Sequence, residues 1–206
     1  MNAVLTGDIV NSTTMQAPVI HDLLRHLEAV LAGSQFEFFR GDSLQAYFED
    51  PAAALRAAMR CRTAALSIML DGQEIMADVR VSIGIGSVEL PIRDLATARG
   101  EAFLLSGRAL DALGKSAGTI IMVDGSKLTN LCLDVMSDYI NSVFRQLTPK
   151  QAEVIHLLLA GLNQQQVAET LKRSKSTISQ HATAGKWDEL EKILSDYEKL
   201  TQLIPS

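Results

Sequence analysis

Two aspartates stand where strands should end. Asp8 closes the apolar run AVLTGDIV, and Asp42 sits in the Gly41-Asp42 turn between FEFFR and SLQAYF, the tightest hairpin signal in the chain. If the first strand and that hairpin lie side by side, the two carboxylates face each other. Carboxylates held so close repel unless a divalent cation sits between them. The stretch that follows Asp8, with Ile9, Val10, Asn11, Ser12 and Thr13, leads into a helix and offers backbone N–H groups to an anion. A cation beside an anion-binding loop points to a triphosphate. Gly-Asp is also common at ordinary turns and Asn-Ser-Thr at ordinary helix caps, so either acid taken alone reads as structural.

A second constellation lies in LTPKQAEVIHLLLAGLNQQQVAETLKRSKSTISQHAT. Thr148 caps a helix that has Pro149 first and Gln151 placed to close a capping box, and Gly161 ends it. Asn163 caps a second helix carrying Val167, Ala168 and Leu171 at helical spacing. After the turn Lys172-Arg173-Ser174, Ser174 caps a third helix. That helix buries Ile178 and Ala182 and turns Lys175, Ser176, Ser179, Gln180 and Thr183 outward. This is the pattern of a helix-turn-helix, whose last helix meets base edges in a major groove with short polar side chains and cations. From Arg145 to Trp187 there are 6 basic residues against 2 acids, with Lys186 near the end, whereas Met1 to Asn141 carries 11 against 17. Phosphate attraction is local, so this contrast outweighs the formal charge of −5 for the whole chain. The plain alternative is a three-helix packing module that touches protein rather than DNA.

The elements that would position these groups follow from periodicity. Residues 3–9 form a strand, 18–31 a helix, 36–40 and 43–48 a hairpin, 51–70 an Ala-rich helix, 78–88 a central strand, 97–113 a helix, 114–118 a turn and 119–123 a last strand. The first six of these elements have a ferredoxin-like order, an antiparallel sheet covered on one face by helices. Apolar residues at helical spacing over 131–146 make a linking helix and a candidate dimer contact, and 188–203 is a charged amphipathic helix. At 206 residues, 47% hydrophobic and 21% charged, the chain can bury one good core and a smaller second one. There is no basic leader and no apolar stretch of bilayer length, so the expected location is the cytoplasm. Cys61 and Cys132 lack metal-type or disulfide-type spacing and read as buried small residues.

TGDIVNST, FFRGDSLQAYF, VRVSIGIGSVE and GEAFLLSGRALDALGKSAGTIIMVDG, in that order, resemble the catalytic domain of class III nucleotide cyclases. The resemblance implies that Asp8 and Asp42 bind Mg²⁺ or Mn²⁺ with the Ile9 carbonyl as a further ligand. It also implies that Arg108 stabilises charge on the reacting phosphate, that Thr97 helps choose the base, and that the domain forms a homodimer. Phe38 and Leu104 depart from it, standing where such cyclases have a base-reading lysine and an asparagine. The later segment resembles LuxR-type helix-turn-helices and the fourth region of sigma factors, with departures at Gln166 and Gly185, and the whole chain is similar to SatD-like bacterial proteins. The expected architecture is therefore α+β. A cyclase-type ferredoxin-like domain (1–130) is followed by a linking helix (131–146), an all-α helix-turn-helix domain (147–187) and a C-terminal helix (188–206). Its expected partners are DNA, a nucleoside triphosphate or other nucleotide, and a second copy of itself. Two functions remain open, a ligand-responsive DNA-binding regulator and an active nucleotidyl cyclase or transferase with a regulatory tail.

Overall fold

The computed structural model describes residues 1–70, 73–74, 77–113 and 118–204. Its elements are β1 (Asn2–Ile9), α1 (Ala17–Leu31), β2 (Gln35–Phe39), β3 (Ser43–Phe48), α2 (Pro51–Leu66), β4 (Met69–Leu70), β5 (Gln73–Glu74), β6 (Val79–Gly86), α3 (Glu101–Ala112), β7 (Thr119–Val123), α4 (Lys127–Phe144), α5 (Pro149–Leu159), α6 (Gln164–Leu171), α7 (Lys175–Ala184) and α8 (Trp187–Leu203). The main sheet runs β2-β3-β1-β6-β7, with β1 antiparallel to both β3 and β6. That order is the ferredoxin-like one. The fifth strand departs from a purely antiparallel sheet: β7 lies parallel to β6, because α3 carries the chain back over one face between them.

Helices cover both faces, not one. Val79, Val81, Ile83 and Ile85 of β6 join the core beneath α1 and α2. The alternate residues face α3, where Ser82 Oγ donates to the Ser106 carbonyl at 2.6 Å and Thr6 Oγ1 meets Ser106 Oγ at 2.9 Å. Gly84 permits the close approach, since a Cβ there would stand 2.2 Å from the Ala102 carbonyl oxygen.

Several boundaries differ from those expected. α2 ends at Leu66, before the short β4–β5 hairpin, rather than reaching residue 70. α3 begins at Glu101 rather than 97, because Gly100 has φ +136° and the preceding Leu95–Thr97 makes a separate turn capped by Asp94. α4 starts at Lys127, capped by Ser126, four residues earlier than the periodicity of its apolar positions suggests. The turn expected over 114–118 lies, apart from Gly118, outside the described residues.

The C-terminal helices do not form a core of their own. One hydrophobic cluster runs from Ala3 of β1 to Ile204 after α8 and includes Ile155, Leu158, Val167, Ile178 and Leu190. α5 lies on α2, where His156 Nδ1 donates to the Arg60 carbonyl at 3.1 Å; the hydrogen is on Nδ1 because a carbonyl only accepts. Tyr197 of α8 donates to the Pro51 carbonyl at 3.1 Å. A buried polar link ties α4 to the sheet. Arg62 of α2 forks onto Asp78 (2.9 and 3.1 Å) and donates to Asn141 Oδ1 (2.8 Å), while Asn141 also pairs with both backbone groups of Ile120 on β7. Among the described residues no helix is long and apolar enough to cross a membrane.

Candidate functional site

Asp8 is the penultimate residue of β1, directly opposite Ser43 on one neighbouring strand and Arg80 on the other. Asp42 is brought alongside by a tight turn in which Arg40 and Gly41 both take positive φ (53° and 85°), as right-twisted hairpins favour. The Ile9 N–H donates to the Asp42 carbonyl at 2.9 Å, and the Val10 N–H to the Asp78 carbonyl at 2.9 Å. These two bonds fix the loop between the hairpin and β6. The result is a cavity of about 270 Å³ lined by Asp8, Ile9, Val10, Asn11, Ser12, Thr13, Asp42 and Arg80. The two acids and all five expected loop residues thus share one pocket.

Its electrostatics are not those of an open metal site. Arg80, which the sequence reading passed over, forks onto Asp8: Nε donates to Oδ1 at 2.8 Å and Nη2 to Oδ2. Nη1 reaches the Leu113 carbonyl at the end of α3, 3.1 Å away. Asp42 has a different partner, the Ser12 hydroxyl, which donates to Oδ2 at 2.7 Å. Both Asp8 oxygens are therefore engaged by a cation already. The N–H groups of Ile9 and Val10, expected to greet an anion, are held by backbone carbonyls. Among the described residues no group of three or more His, Cys, Asp and Glu is gathered as a metal cluster. As arranged, the residues do not fit Mg²⁺ or Mn²⁺, because a divalent ion would have to displace Arg80 from Asp8. One signal could have found Arg80. An arginine inside an otherwise apolar central strand, VRVSIGIG, needs a buried counter-charge, and Asp8 is on the neighbouring strand.

Thr97 and Arg108 lie outside this pocket. Thr97 is exposed in the Leu95–Thr97 turn, with its hydroxyl directed to the Asp94 carbonyl, and Arg108 is exposed on α3. Phe38, at the base-reading position of the resembled family, stacks edge-on against Phe36 at 5.9 Å, and Leu104 is exposed.

The second candidate surface follows the expected geometry closely. Capping boxes form at Thr148 with Gln151 and at Asn163 with Gln166, and Ser174 accepts from the Thr177 N–H. The Gln166 departure is thereby a working cap residue. Gly185 has a packing reason as well, since a Cβ there would stand 2.9 Å from Ile155 Cγ1. Ile178 and Ala182 are buried, while Lys172, Arg173, Lys175, Ser176, Ser179, Gln180, Thr183 and Lys186 are all exposed. Lys172 ends α6 in the left-handed conformation (φ 52°), which turns the chain sharply into α7. Lys172, Arg173 and Lys175 lie at the start of α7, and Lys186, past its end, pairs with Glu189 at 3.4 Å.

No protein-family model and no curated protein matches this sequence. Among solved structures, the chain is similar to the monomeric guanylyl cyclase domain of the RhoGC fusion protein from the aquatic fungus Blastocladiella emersonii. The identity is 16% over 59% of this chain and 79% of that one, with a TM-score of 0.42. It is also similar to the catalytic core of a rhodopsin-guanylyl cyclase with converted specificity, in complex with ATPalphaS (16%, 59% and 75%, TM-score 0.40). A bacterial light-regulated adenylyl cyclase gives 14%, 59% and 74%, with a TM-score of 0.39.

Proposed function

We propose that this chain is a DNA-binding regulator whose front domain carries, in the Asp8–Asp42 pocket, a site for a metal-nucleotide or related phosphate ligand, which brings its own cation to Asp42. The observation that carries the reading is the exposed face of α7 and its preceding turn. It presents three cations (Lys172, Arg173, Lys175) and four short or amide side chains (Ser176, Ser179, Gln180, Thr183), with Ile178 and Ala182 anchoring the helix behind them; Lys186 lies beyond α7 and pairs with Glu189 at 3.4 Å. Because α5 and α8 pack directly on α2, a change in the front domain has a rigid route to that face.

A second copy is the partner that two half-sites require, and α4 has a surface for it. Leu128, Leu131, Val135 and Tyr139 are exposed along it.

Fluorescence anisotropy with a labelled random-sequence duplex tests the reading. Binding should weaken steeply with salt, and Arg173→Ala with Lys175→Ala should reduce the slope of log affinity against log salt by roughly 2, about one per lost phosphate contact. Affinity and slope unchanged by the double substitution would exclude α7 as the DNA surface.

One observation favours the other reading, a nucleotidyl cyclase or transferase: Asp8 and Asp42 do share a cavity. Arg108 lies outside it, so a role for Arg108 at the phosphate requires a second subunit. Incubation with Mn²⁺ and each of the four nucleoside triphosphates, followed by separation of products, decides. Absence of product from all four leaves the binding role.

A further inference from the structure

The forked pair of Arg80 and Asp8 resembles a structural ion pair until it is set beside the one that plainly is. Arg62 and Asp78 tie three elements together, and Arg62 is 1% exposed. The exposures of the two pairs barely differ, with the acids at 20% and 22%, but Asp8 and Arg80 both form part of the wall of an open cavity. The same wall holds a second carboxylate, Asp42, whose hydrogen bonds are to serine hydroxyls rather than to a cation. Two acids and one guanidinium leave the pocket with one net negative charge. Asp8 is thereby compensated and Asp42 is not.

We infer that Arg80 is the resident cation of this pocket, doing for Asp8 what a divalent ion would do and shutting free divalent ions out. This rests on the pocket being a ligand site, as proposed above, and adds how its charge is controlled. The guanidinium engages both Asp8 oxygens, and its positive charge repels any second cation approaching Asp42. Arg80 is held on its far side by the Leu113 carbonyl, so α3 sets where the cation stands. Metal loading is then governed by the position of one side chain on a central strand.

The test is Mn²⁺ binding, followed by loss of the free-ion electron paramagnetic resonance signal, with no nucleotide present. The wild-type chain should show no saturation below the millimolar range. Arg80→Met should bind Mn²⁺ roughly tenfold tighter or better, because it keeps the stem and removes the charge. Arg80→Lys keeps a positive charge and should stay as weak as wild type, and Arg80→Met combined with Asp42→Asn should lose the gain. Circular dichroism checks that each variant is folded; should Arg80→Met not fold, Arg80→Gln takes its place, retaining donors to Asp8 without the charge. Micromolar Mn²⁺ binding by the wild-type chain, or folded uncharged variants with unchanged affinity, would overturn the inference. Thermal shifts with the preformed Mg²⁺ complex of inorganic tripolyphosphate separate this from failure of the ligand site itself. A persisting shift beside a negative Mn²⁺ result sinks the role of Arg80 and leaves the pocket standing.

Discussion

Arg62→Met is the most informative single change for the architecture. Arg62 is 1% exposed, makes three hydrogen bonds to Asp78 and Asn141 and lies 5.5 Å from the Phe144 ring centre. Methionine keeps most of the stem but leaves the Asp78 carboxylate without its cation. Removing one partner of a buried ion pair costs about 3–5 kcal/mol. Asp78 retains 20% exposure and a hydrogen bond from the Val79 N–H, and Asn141 keeps both bonds to Ile120, so the lower end, about 3 kcal/mol, is expected. For a chain of this size that is a fall in melting temperature of roughly 6–12 °C. Urea unfolding followed by far-UV circular dichroism and by Trp187 fluorescence should give one coincident transition, because the core is continuous from β1 to α8. Adding Asp78→Asn should restore part of the loss by removing the stranded charge. A loss under about 1 kcal/mol, or two separate transitions, would refute the view that this network joins the halves into one unit.

Burial, with the Arg60 guanidinium nearby, pushes His156 down to about 4. The unfolded chain, with its histidine near 6.5, takes up a proton first as pH falls. Stability from this site is therefore complete above about pH 6.5 and declines toward pH 4, by on the order of 3 kcal/mol. His156→Gln should flatten that part of the curve of urea midpoint against pH; parallel curves for the two chains would contradict it. Gly84→Ala would place a Cβ 2.2 Å from the Ala102 carbonyl oxygen and 2.6 Å from the Ser106 nitrogen, both backbone atoms that cannot swing away. α3 must shift off the sheet, and a thermal melt should register a loss of at least about 2 kcal/mol. An unchanged melt would mean that α3 does not sit where it is described.

What could be read in the residues was mostly local. The Thr148–Gln151 capping box, the Asn163 and Ser174 caps, the Pro149 start and the inward pair Ile178 and Ala182 depend on groups a few positions apart, and the sequence displays those directly. The approach of Asp8 to Asp42 was also legible, because a hairpin beside the first strand leaves few other places for its tip. Where local signals misled, a single glycine or cap overruled periodicity: Gly100 delayed α3, and Ser126 started α4 early.

Tertiary structure decided the rest. Asp8 and Arg80 are 72 positions apart, and only the β1–β6 register sets them side by side. Arg62, Asp78 and Asn141 converge from three parts of the chain, and the α5–α7 module rests on α2 instead of standing alone. The sequence by itself determined which side chains carry charge and which helices form. Whether a carboxylate meets an ion or an arginine, and whether a helical module floats or docks, depends on strand pairing and packing between distant segments, which no local pattern encodes.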